Sequence, residues 1–447
     1  MPWAPAAKKP VRRPTFDAGP SESPSPRSPF MLLRARIVLP ISAPPIENGA
    51  ILLSQNRIVA IGSWRELASR ACEPVTDLGP VILLPGLINA HCHLDYTDMT
   101  GLPPQKQFPD WIKGLLALKA GASYTDYAEA WIRGAKMLER TGTTMVADVE
   151  AVPELLPEVW SSTSLRVFSF LEMTGVKSRR KPLDILREAG AKIKSLASAR
   201  GSAGLSPHAL YSTMPKLLQE TALLARRRGW RVTMHLAESL AEHEMYAEQR
   251  GPMFDWLKRQ RDMSDCEGRT PVQQARHYGL LGANFLAIHA NYLDDADVAA
   301  LAESGASVVH CPQSHDYFGH APFPFQRLRE AGVNVCLGTD SLASVRVTRR
   351  AKPELNMFTE MQTFASAHPG VSPETIVRLA TQHGARALGR EKQAGSLFEQ
   401  GQADMIAIPF QGRTEDAWSA VVHHTGAVTA SMIDGKWIHG DFASAKK

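Results

Sequence analysis

The chain has 447 residues, of which 44% are hydrophobic and 21% are charged, a balance typical of a folded globular protein. Its net charge of +5 is concentrated in residues 1–30, which carry five Lys or Arg against two acidic residues, so the rest of the chain lacks the charge excess of a nucleic-acid-binding surface. Five cysteines without a Cys-x-x-Cys pair argue against a disulfide framework or a thiolate zinc site, and no apolar run reaches the roughly 18 residues of a membrane span.

Residues 1–30 contain eight prolines among Ser, Ala and basic residues, a composition that cannot bury enough apolar surface to fold. We therefore predict a disordered basic tail, and translation from Met31 remains an open alternative. The segment lacks the apolar stretch of a secretory signal. Together with the odd number of cysteines, this predicts a cytoplasmic protein.

Short strand patterns occupy both ends of the chain. Those near the N-terminus are Leu32–Leu39, Gly49–Leu53 and Arg57–Ile61. Those near the C-terminus are Asp404–Ile408, Ala417–Val422, Val428–Ile433 and Lys436–Ile438, with a hairpin turn at Asp434-Gly435. We predict one small β-sandwich formed by residues 31–82 and 389–447.

Eight apolar, strand-like runs lie between these ends. They are Val81–His93, Thr143–Val149, Arg166–Glu172, Ala203–Pro207, Arg231–His235, Asn284–His289, Ser307–His310 and Asn334–Asp340. Amphipathic spacers such as Tyr124–Arg140, Pro215–Arg228 and Asp294–Ser304 have apolar residues at helical intervals. Eight alternating βα units predict a (β/α)8 TIM barrel over residues 83–388, with an open doubly wound sheet as the alternative.

Polar side chains follow the apolar part of several of these runs. His91 and His93 lie two residues apart and therefore face the same side of a strand. His235, His289 and Asp340 end the fifth, sixth and eighth runs. Imidazole and carboxylate ligands suit a borderline divalent ion such as zinc or ferrous iron, so the barrel mouth is predicted to hold a metal.

These segments resemble the amidohydrolase superfamily, in particular its purine- and triazine-type deaminase and chlorohydrolase branch. The matching segments are Pro85–His93, Ser206–Ser212, His235–Glu238, His310–Ser314 and Gly338–Ser341. The resemblance covers about residues 31–440 and implies a (β/α)8 barrel carrying a small β-sandwich from both chain ends. We also expect a homodimer that binds neither nucleic acid nor membranes.

The resemblance implies roles for individual residues. His91, His93, His235 and Asp340 would bind one divalent metal, zinc in the first place or iron. Two-metal members have a carboxylated lysine at the end of the fourth strand, where this chain has His208. The implied catalytic residues are Glu238 as proton shuttle, His289 to orient the attacking water and Asp340 to accept its proton. The implied substrate contacts are His208, Glu172, Trp111 and His315.

Two positions depart from the family pattern. His315 stands where many relatives have Asn, and we expect it to shape the pocket rather than to bind a second metal. Relatives that deaminate adenosine hold the ribose hydroxyls with an acidic residue after a Trp-containing loop. No acidic residue follows Trp111 in Ile112–Lys119, which puts recognition of a nucleoside by that route in doubt.

The function implied is hydrolytic deamination of an aminated heterocycle, a purine or purine nucleoside, through attack of a metal-activated hydroxide and release of ammonia. The Ser314–Phe325 loop resembles aminofutalosine deaminases, which makes 6-amino-6-deoxyfutalosine the leading candidate substrate. Lys113, Lys119 or Arg346 could pair with its benzoate. Guanine, cytosine, S-adenosylhomocysteine and triazines are alternative substrates, and a metal-free scaffold protein is the alternative of another class.

Overall fold

The computed structural model describes residues 30–70, 75–176, 180–196, 201–347 and 352–440. Residues 1–29 of the predicted tail and Cys72 lie outside these ranges. Phe30, assigned from sequence to the tail, instead begins the first strand. Among the described helices, none combines the length and the apolar composition that crossing a membrane requires.

The strands form two separate sheets. They are β1 (Phe30–Val38), β2 (Ile46–Ser54), β3 (Arg57–Ser63), β4 (Val75–Asp77), β5 (Val81–Pro85), β6 (Leu87–Cys92), β7 (Thr143–Glu150), β8 (Arg166–Met173), β9 (Ser202–Pro207), β10 (Val232–Leu236), β11 (Phe285–His289), β12 (Ser307–His310), β13 (Asn334–Leu337), β14 (Met405–Pro409), β15 (Ala430–Ile433) and β16 (Lys436–His439).

The helices mostly follow the barrel strands in alternation. They are α1 (Trp64–Leu67), α2 (Phe108–Gly121), α3 (Tyr124–Arg140), α4 (Leu156–Ser161), α5 (Pro182–Ser195), α6 (Pro215–Arg228), α7 (Leu240–Glu248), α8 (Gly251–Leu257), α9 (Pro271–His277), α10 (Asp295–Ser304), α11 (Pro312–Phe318), α12 (Phe325–Glu330), α13 (Met357–Ala367), α14 (Pro373–Leu379), α15 (Gln382–Ala387) and α16 (Ala417–Val422). Helices α3 and α6 have the same bounds that were predicted from the sequence.

The barrel consists of β6 to β13, eight parallel strands paired in chain order. Its seam closes where the backbone N–H groups of Thr339 and Asp340 donate to the His91 carbonyl, at 3.0 and 3.1 Å. A Cβ at Gly338 would lie 2.8 Å from that carbonyl oxygen, so a glycine is required for the two strands to meet. The predicted (β/α)8 barrel is confirmed.

The other sheet is built from both ends of the chain, as predicted. Its order is β16-β15-β14-β5-β1-β2-β3, with β4 paired to β1. The predicted turn between β15 and β16 is also confirmed: Asp434 and Gly435 have φ of 56° and 72°, the positive values that a two-residue hairpin turn favours.

Two further sequence predictions differ from the structure. The single run Val81–His93 is two strands, because the chain passes from the small sheet to the barrel at Gly86, where a Cβ would lie 2.1 Å from Thr144. The predicted strand Ala417–Val422 was wrong, since it is helix α16, which packs against α13 and α14. Its buried residues, Ala417, Val421 and Val422, follow helical spacing. The division of the chain into a small sheet and a barrel remains a proposal. Its first boundary is moved to Pro85, where β5 ends.

Candidate metal centre and substrate pocket

Four side chains meet at the carboxyl end of the barrel. His91 lies in β6 with His93 just beyond it, His235 lies in β10, and Asp340 follows β13. One ligand atom from each lies within 4.8 Å of the others, and all four side chains are buried. Among the described residues this is the one group of three or more such side chains close enough to hold a metal ion. The structure thus brings together all the ligands inferred from the sequence.

The imidazole nitrogens at this centre are arranged to bind a metal rather than to hydrogen-bond one another. His93 Nε2 lies 3.3 Å from His235 Nε2, while His235 Nδ1 donates to the His208 carbonyl at 3.0 Å and so leaves Nε2 with a lone pair. His91 Nε2 has no hydrogen-bond partner among the described residues. Burial, reinforced by neighbouring imidazoles, lowers the pKa of His93 to about 3 and that of His235 well below its usual value. Neutral imidazoles with converging lone pairs are the donors that zinc and ferrous iron accept.

Asp340 is held as an anion by its surroundings. Burial alone would raise the pKa of this carboxyl group, but nearby His91, His289 and His93 hold it well below its usual range. Its Oδ2 accepts hydrogen bonds from the Ser314 and Ser344 hydroxyls at 2.7 and 3.0 Å. Such contacts fix the orientation of a ligating carboxylate.

Glu238 and His289 lie beside the four candidate ligands. Glu238 Oε1 is 3.5 Å from His289 Nε2, and both side chains are buried. Burial, followed by the charges of Asp340 and Glu242, raises the pKa of Glu238 well above its usual value. Burial lowers the pKa of His289 to about 3. The site therefore offers a carboxylic acid that can donate a proton next to a neutral imidazole.

A pocket opens above this centre. His93, His235, Glu238 and Asp340 line its inner end. Its mouth is lined by apolar side chains from α2 and α8: Phe108, Trp111, Ile112, Leu115, Leu116 and Trp256. Helix α2 is an addition to the barrel, because α3 already connects β6 to β7 in the regular alternation.

Three of the four predicted substrate contacts, Trp111, Glu172 and His208, line this pocket. His315 does not belong to its lining: its Nδ1 lies 3.0 Å from Asn291 Oδ1, and Asn291 Nδ2 donates to the Glu238 carbonyl. His315 therefore lies close to the site without facing the space open to a substrate.

Glu172 and Lys119 form an ion pair on the pocket wall. Lys119 Nζ lies 3.8 Å from Glu172 Oε2, and His208 Nε2 lies 3.9 Å from Glu172 Oε1. Burial would raise the pKa of Glu172, but Lys119 and His208 lower it below its usual value, so the group is ionised. Lys119 also donates to the Tyr96 hydroxyl, and the Tyr96 ring stacks on His93 at a centroid distance of 5.0 Å. Sequence reasoning missed Tyr96, whose only signal was its place three residues after the His-x-His motif.

The three cations proposed from sequence as partners of a benzoate have different surroundings. Lys119 lines the pocket and is already paired with Glu172. Lys113 is paired with Asp110 at 2.8 Å and half exposed, and Arg346 is paired with Asp316 at 3.3 Å. Of the three, Lys119 alone is placed to contact a bound molecule directly.

Known proteins resemble this chain over most of its length. The model of the amidohydrolase family matches residues 82–438. The 5-methylthioadenosine/S-adenosylhomocysteine deaminase of Syntrophobacter fumaroxidans is 30% identical over 417 residues, which are 88% of this chain and 87% of that protein. An adenosine deaminase from Xanthomonas campestris with bound zinc superposes with a TM-score of 0.80 at 24% identity, over 92% of this chain and 93% of the other. Helicobacter pylori aminofutalosine deaminase superposes with a TM-score of 0.80 at 21% identity, over 91% of this chain and 100% of the other.

Proposed function

This chain belongs to the amidohydrolase family and is a hydrolase of carbon–nitrogen bonds, and from that premise we propose that it deaminates a purine nucleoside with an apolar 5′ substituent. The observation that carries the proposal is one constellation at the inner end of an apolar pocket. It joins four candidate metal-ligand side chains, the carboxyl group of Glu238, whose pKa burial raises, and the imidazole of His289, whose pKa burial lowers.

Each of these residues would have a distinct task in the reaction. A divalent ion held by His91, His93, His235 and Asp340 would lower the pKa of water to about 7 and so supply the nucleophile at neutral pH. Asp340 accepts the proton of the attacking water, whose oxygen adds to the carbon that bears the amino group.

Glu238 protonates the neighbouring ring nitrogen, so that no negative charge builds up on the heterocycle. His289 contacts Glu238 and faces the ligand side chains, where it orients the attacking oxygen. Asp340 passes its proton to the amino nitrogen, which leaves as ammonia when the carbon–nitrogen bond breaks, and Glu238 takes back the proton of the added hydroxyl group as the carbonyl group forms.

The pocket wall supports a nucleoside rather than a free base. Glu172 is ionised and lines the pocket, so its oxygens can accept hydrogen bonds from ribose hydroxyls. It would replace the acidic residue that relatives have after their Trp-containing loop. Phe108, Trp111 and Trp256 favour an aryl or methylthio group over a charged amino-acid tail at the 5′ position.

5′-Methylthioadenosine meets this description in full, and 6-amino-6-deoxyfutalosine meets it with the aryl ring of a 5′ substituent that also bears a carboxylate; the latter remains our leading candidate. Its aryl ring would lie against the aromatic side chains of the pocket, and Lys119, which lines the pocket, would be the partner of its carboxylate.

We further propose zinc as the metal, since the structurally similar Xanthomonas protein contains it. A cytoplasmic location and a homodimer remain part of the same proposal, as does the absence of a nucleic-acid partner. The described cysteines are unpaired and buried, which suits a reducing compartment.

Ammonia release from a panel of compounds tests the function. The panel comprises 6-amino-6-deoxyfutalosine, 5′-methylthioadenosine, 5′-deoxyadenosine, adenosine, S-adenosylhomocysteine, adenine, guanine, cytosine and a chlorotriazine. We expect kcat/KM for the best apolar 5′-substituted nucleoside to exceed that for adenine by about 100-fold or more, the value of several pocket contacts. Turnover of guanine, cytosine or the triazine with no turnover of any nucleoside would refute the proposed substrate class.

A further inference from the structure

We propose that Glu242, Asn291 and His315 position the proton shuttle Glu238, although none of the three lines the pocket. The inference rests on the proposed function, because it assumes that Glu238 transfers a proton. Hydrogen bonds hold the Glu238 main chain from both sides: one side chain accepts from its N–H group, and another donates to its carbonyl group.

Glu242 holds the first of these groups. The Glu238 N–H donates to Glu242 Oε2 at 2.8 Å, and the Glu242 side chain is fully buried near the start of α7. The residue before the shuttle, Ala237, has a φ of 51°, a left-handed conformation that is uncommon for a residue other than glycine. Burial raises the pKa of Glu242 to about 8, and a carboxyl oxygen that accepts from this turn stabilises the backbone conformation from which the Glu238 side chain projects.

Asn291 holds the second group. Its Nδ2 donates to the Glu238 carbonyl at 2.9 Å, and its own N–H donates to the Ala237 carbonyl at 2.9 Å. Asn291 follows β11, which ends at His289, so it joins the loops that carry the two catalytic side chains next to the metal centre. The Asn291 side chain thus adds to the backbone hydrogen bonds that Ala290, Asn291 and Tyr292 donate to the Glu238 loop, and it is the side-chain donor to Glu238 itself.

His315 fixes the orientation of that amide. Asn291 Oδ1 carries no proton, so His315 Nδ1, 3.0 Å away, must be the donor. Burial lowers the pKa of His315 to about 4, which keeps the ring neutral with one proton available for this bond. The sequence assigned His315 to the substrate, but its contact is with the group that holds Glu238.

Asn in place of His315 would preserve this contact. The Nδ2 of an asparagine and the Nδ1 of a histidine lie at the same number of bonds from the backbone, so either can donate to Asn291 Oδ1. Leucine has nearly the shape of asparagine but no donor. His315→Asn and His315→Leu therefore separate the hydrogen bond from the packing.

These three positioning residues contact neither the substrate nor the metal. The loss of their hydrogen bonds should therefore lower turnover without changing substrate or metal binding. A misplaced proton donor lowers kcat by about 10- to 100-fold, whereas KM and metal content stay near their wild-type values. A merely structural role would instead lower thermal stability and metal content together.

The test uses the full-length, metal-loaded enzyme and the best substrate of the panel. We expect His315→Leu to lower kcat by about 10- to 100-fold with KM unchanged, and His315→Asn to restore kcat to within about threefold. The control is His320→Leu on the same segment, whose Nδ1 contacts Tyr292 rather than Asn291, and which should keep kcat within about threefold. Asn291→Asp keeps the acceptor but removes the donor to Glu238, and it should lower kcat even if His315→Leu does not fold.

Equal losses in His315→Asn and His315→Leu, or equal losses in His320→Leu, would overturn the inference, as would wild-type kcat in Asn291→Asp. Glu238→Gln distinguishes the two levels of the account. If Glu238→Gln keeps full turnover, the proposed shuttle itself is wrong. If it loses turnover while His315→Leu and Asn291→Asp do not, only the proposed positioning of Glu238 is wrong.

Discussion

The two sides of the pocket are built differently. On the metal side, His91 and His235 lie in strands β6 and β10 and are 1% and 6% exposed. On the opposite side, helix α2 contributes Trp111 and Leu116, and Leu116 is 44% exposed. Barrel strands fix the positions of side chains at their ends through the sheet hydrogen bonds, whereas an added helix can change without disturbing the barrel. We therefore expect the reaction to depend on the strand ends, and the choice of 5′ substituent to depend mainly on the added helix.

Removing a strand-end ligand should have the largest effect of any single change. We expect His235→Ala to lose its metal and to reduce turnover by about four orders of magnitude or more, since the nucleophile is no longer supplied. Elemental analysis should find about one zinc or iron per wild-type chain and much less in the variant. Two equivalents in the wild type would refute the mononuclear centre, and a fully loaded, active His235→Ala would remove His235 from the ligand set.

Changing Glu172, which lies in barrel strand β8 on the pocket wall, should alter selectivity and leave the metal in place. Glu172→Gln removes the negative charge, and one hydrogen bond to a charged group contributes about 1.5–3 kcal/mol, so kcat/KM for a nucleoside should fall by about 10- to 100-fold. The same variant should have little effect on the 2′,3′-dideoxy form of that nucleoside. Equal losses with both compounds would show that Glu172 does not bind the ribose. Asp110→Asn is the control. It removes the charge of an exposed acid on α2 and should leave kcat/KM for both compounds nearly unchanged.

Two lysines on α2 offer a matched pair for a smaller effect. Lys119 lines the pocket and pairs with Glu172, whereas Lys113 is half exposed and pairs with Asp110. We expect Lys119→Met to lower kcat/KM by about 10-fold through misplacement of Glu172, and Lys113→Met to change it by less than about twofold. Steady-state kinetics of the two variants measure the difference. Equal effects would mean that the pocket wall does not depend on this ion pair.

Removing the N-terminal tail is the change expected to have no effect on stability or turnover. Its proline-rich, basic composition predicts no part in folding or catalysis, so a chain that begins at Phe30, the first residue of β1, should keep its Tm and turnover. Calorimetry and the ammonia assay would check this together. A fall of several degrees in Tm would show that residues 1–29 contribute to the stability of the folded protein.

The barrel and the convergence of the candidate metal ligands could be predicted because their signals are local. Each ligand comes at the end of a short apolar run, and parallel strands bring such ends to one face of a barrel. The Ala417–Val422 helix was misassigned because six apolar-rich residues fit a strand or a helix equally well until their neighbours are known.

The positioning of Glu238 could not be read from sequence. The proposed positioning uses hydrogen bonds that Asn291 donates to Glu238, 53 residues away in the chain, and that His315 donates to Asn291, 24 residues away. Only Glu242 left a local signal, since it follows Glu238 by about one helical turn. The same limit applies to Lys119, because its pairing with Glu172 requires α2 to fold over the barrel mouth.

The most direct test of the account separates metal binding from proton transfer within one segment, where His235 and Glu238 are three residues apart. Glu238→Gln keeps the shape of the side chain but cannot pass a proton. We expect this variant to keep about one equivalent of metal and to bind substrate nearly as well, while turnover falls by two to four orders of magnitude, roughly the size of a general acid–base contribution. Loss of the metal from Glu238→Gln would make the carboxylate a ligand, and near-full turnover would show that another group carries the proton; either result would contradict the account.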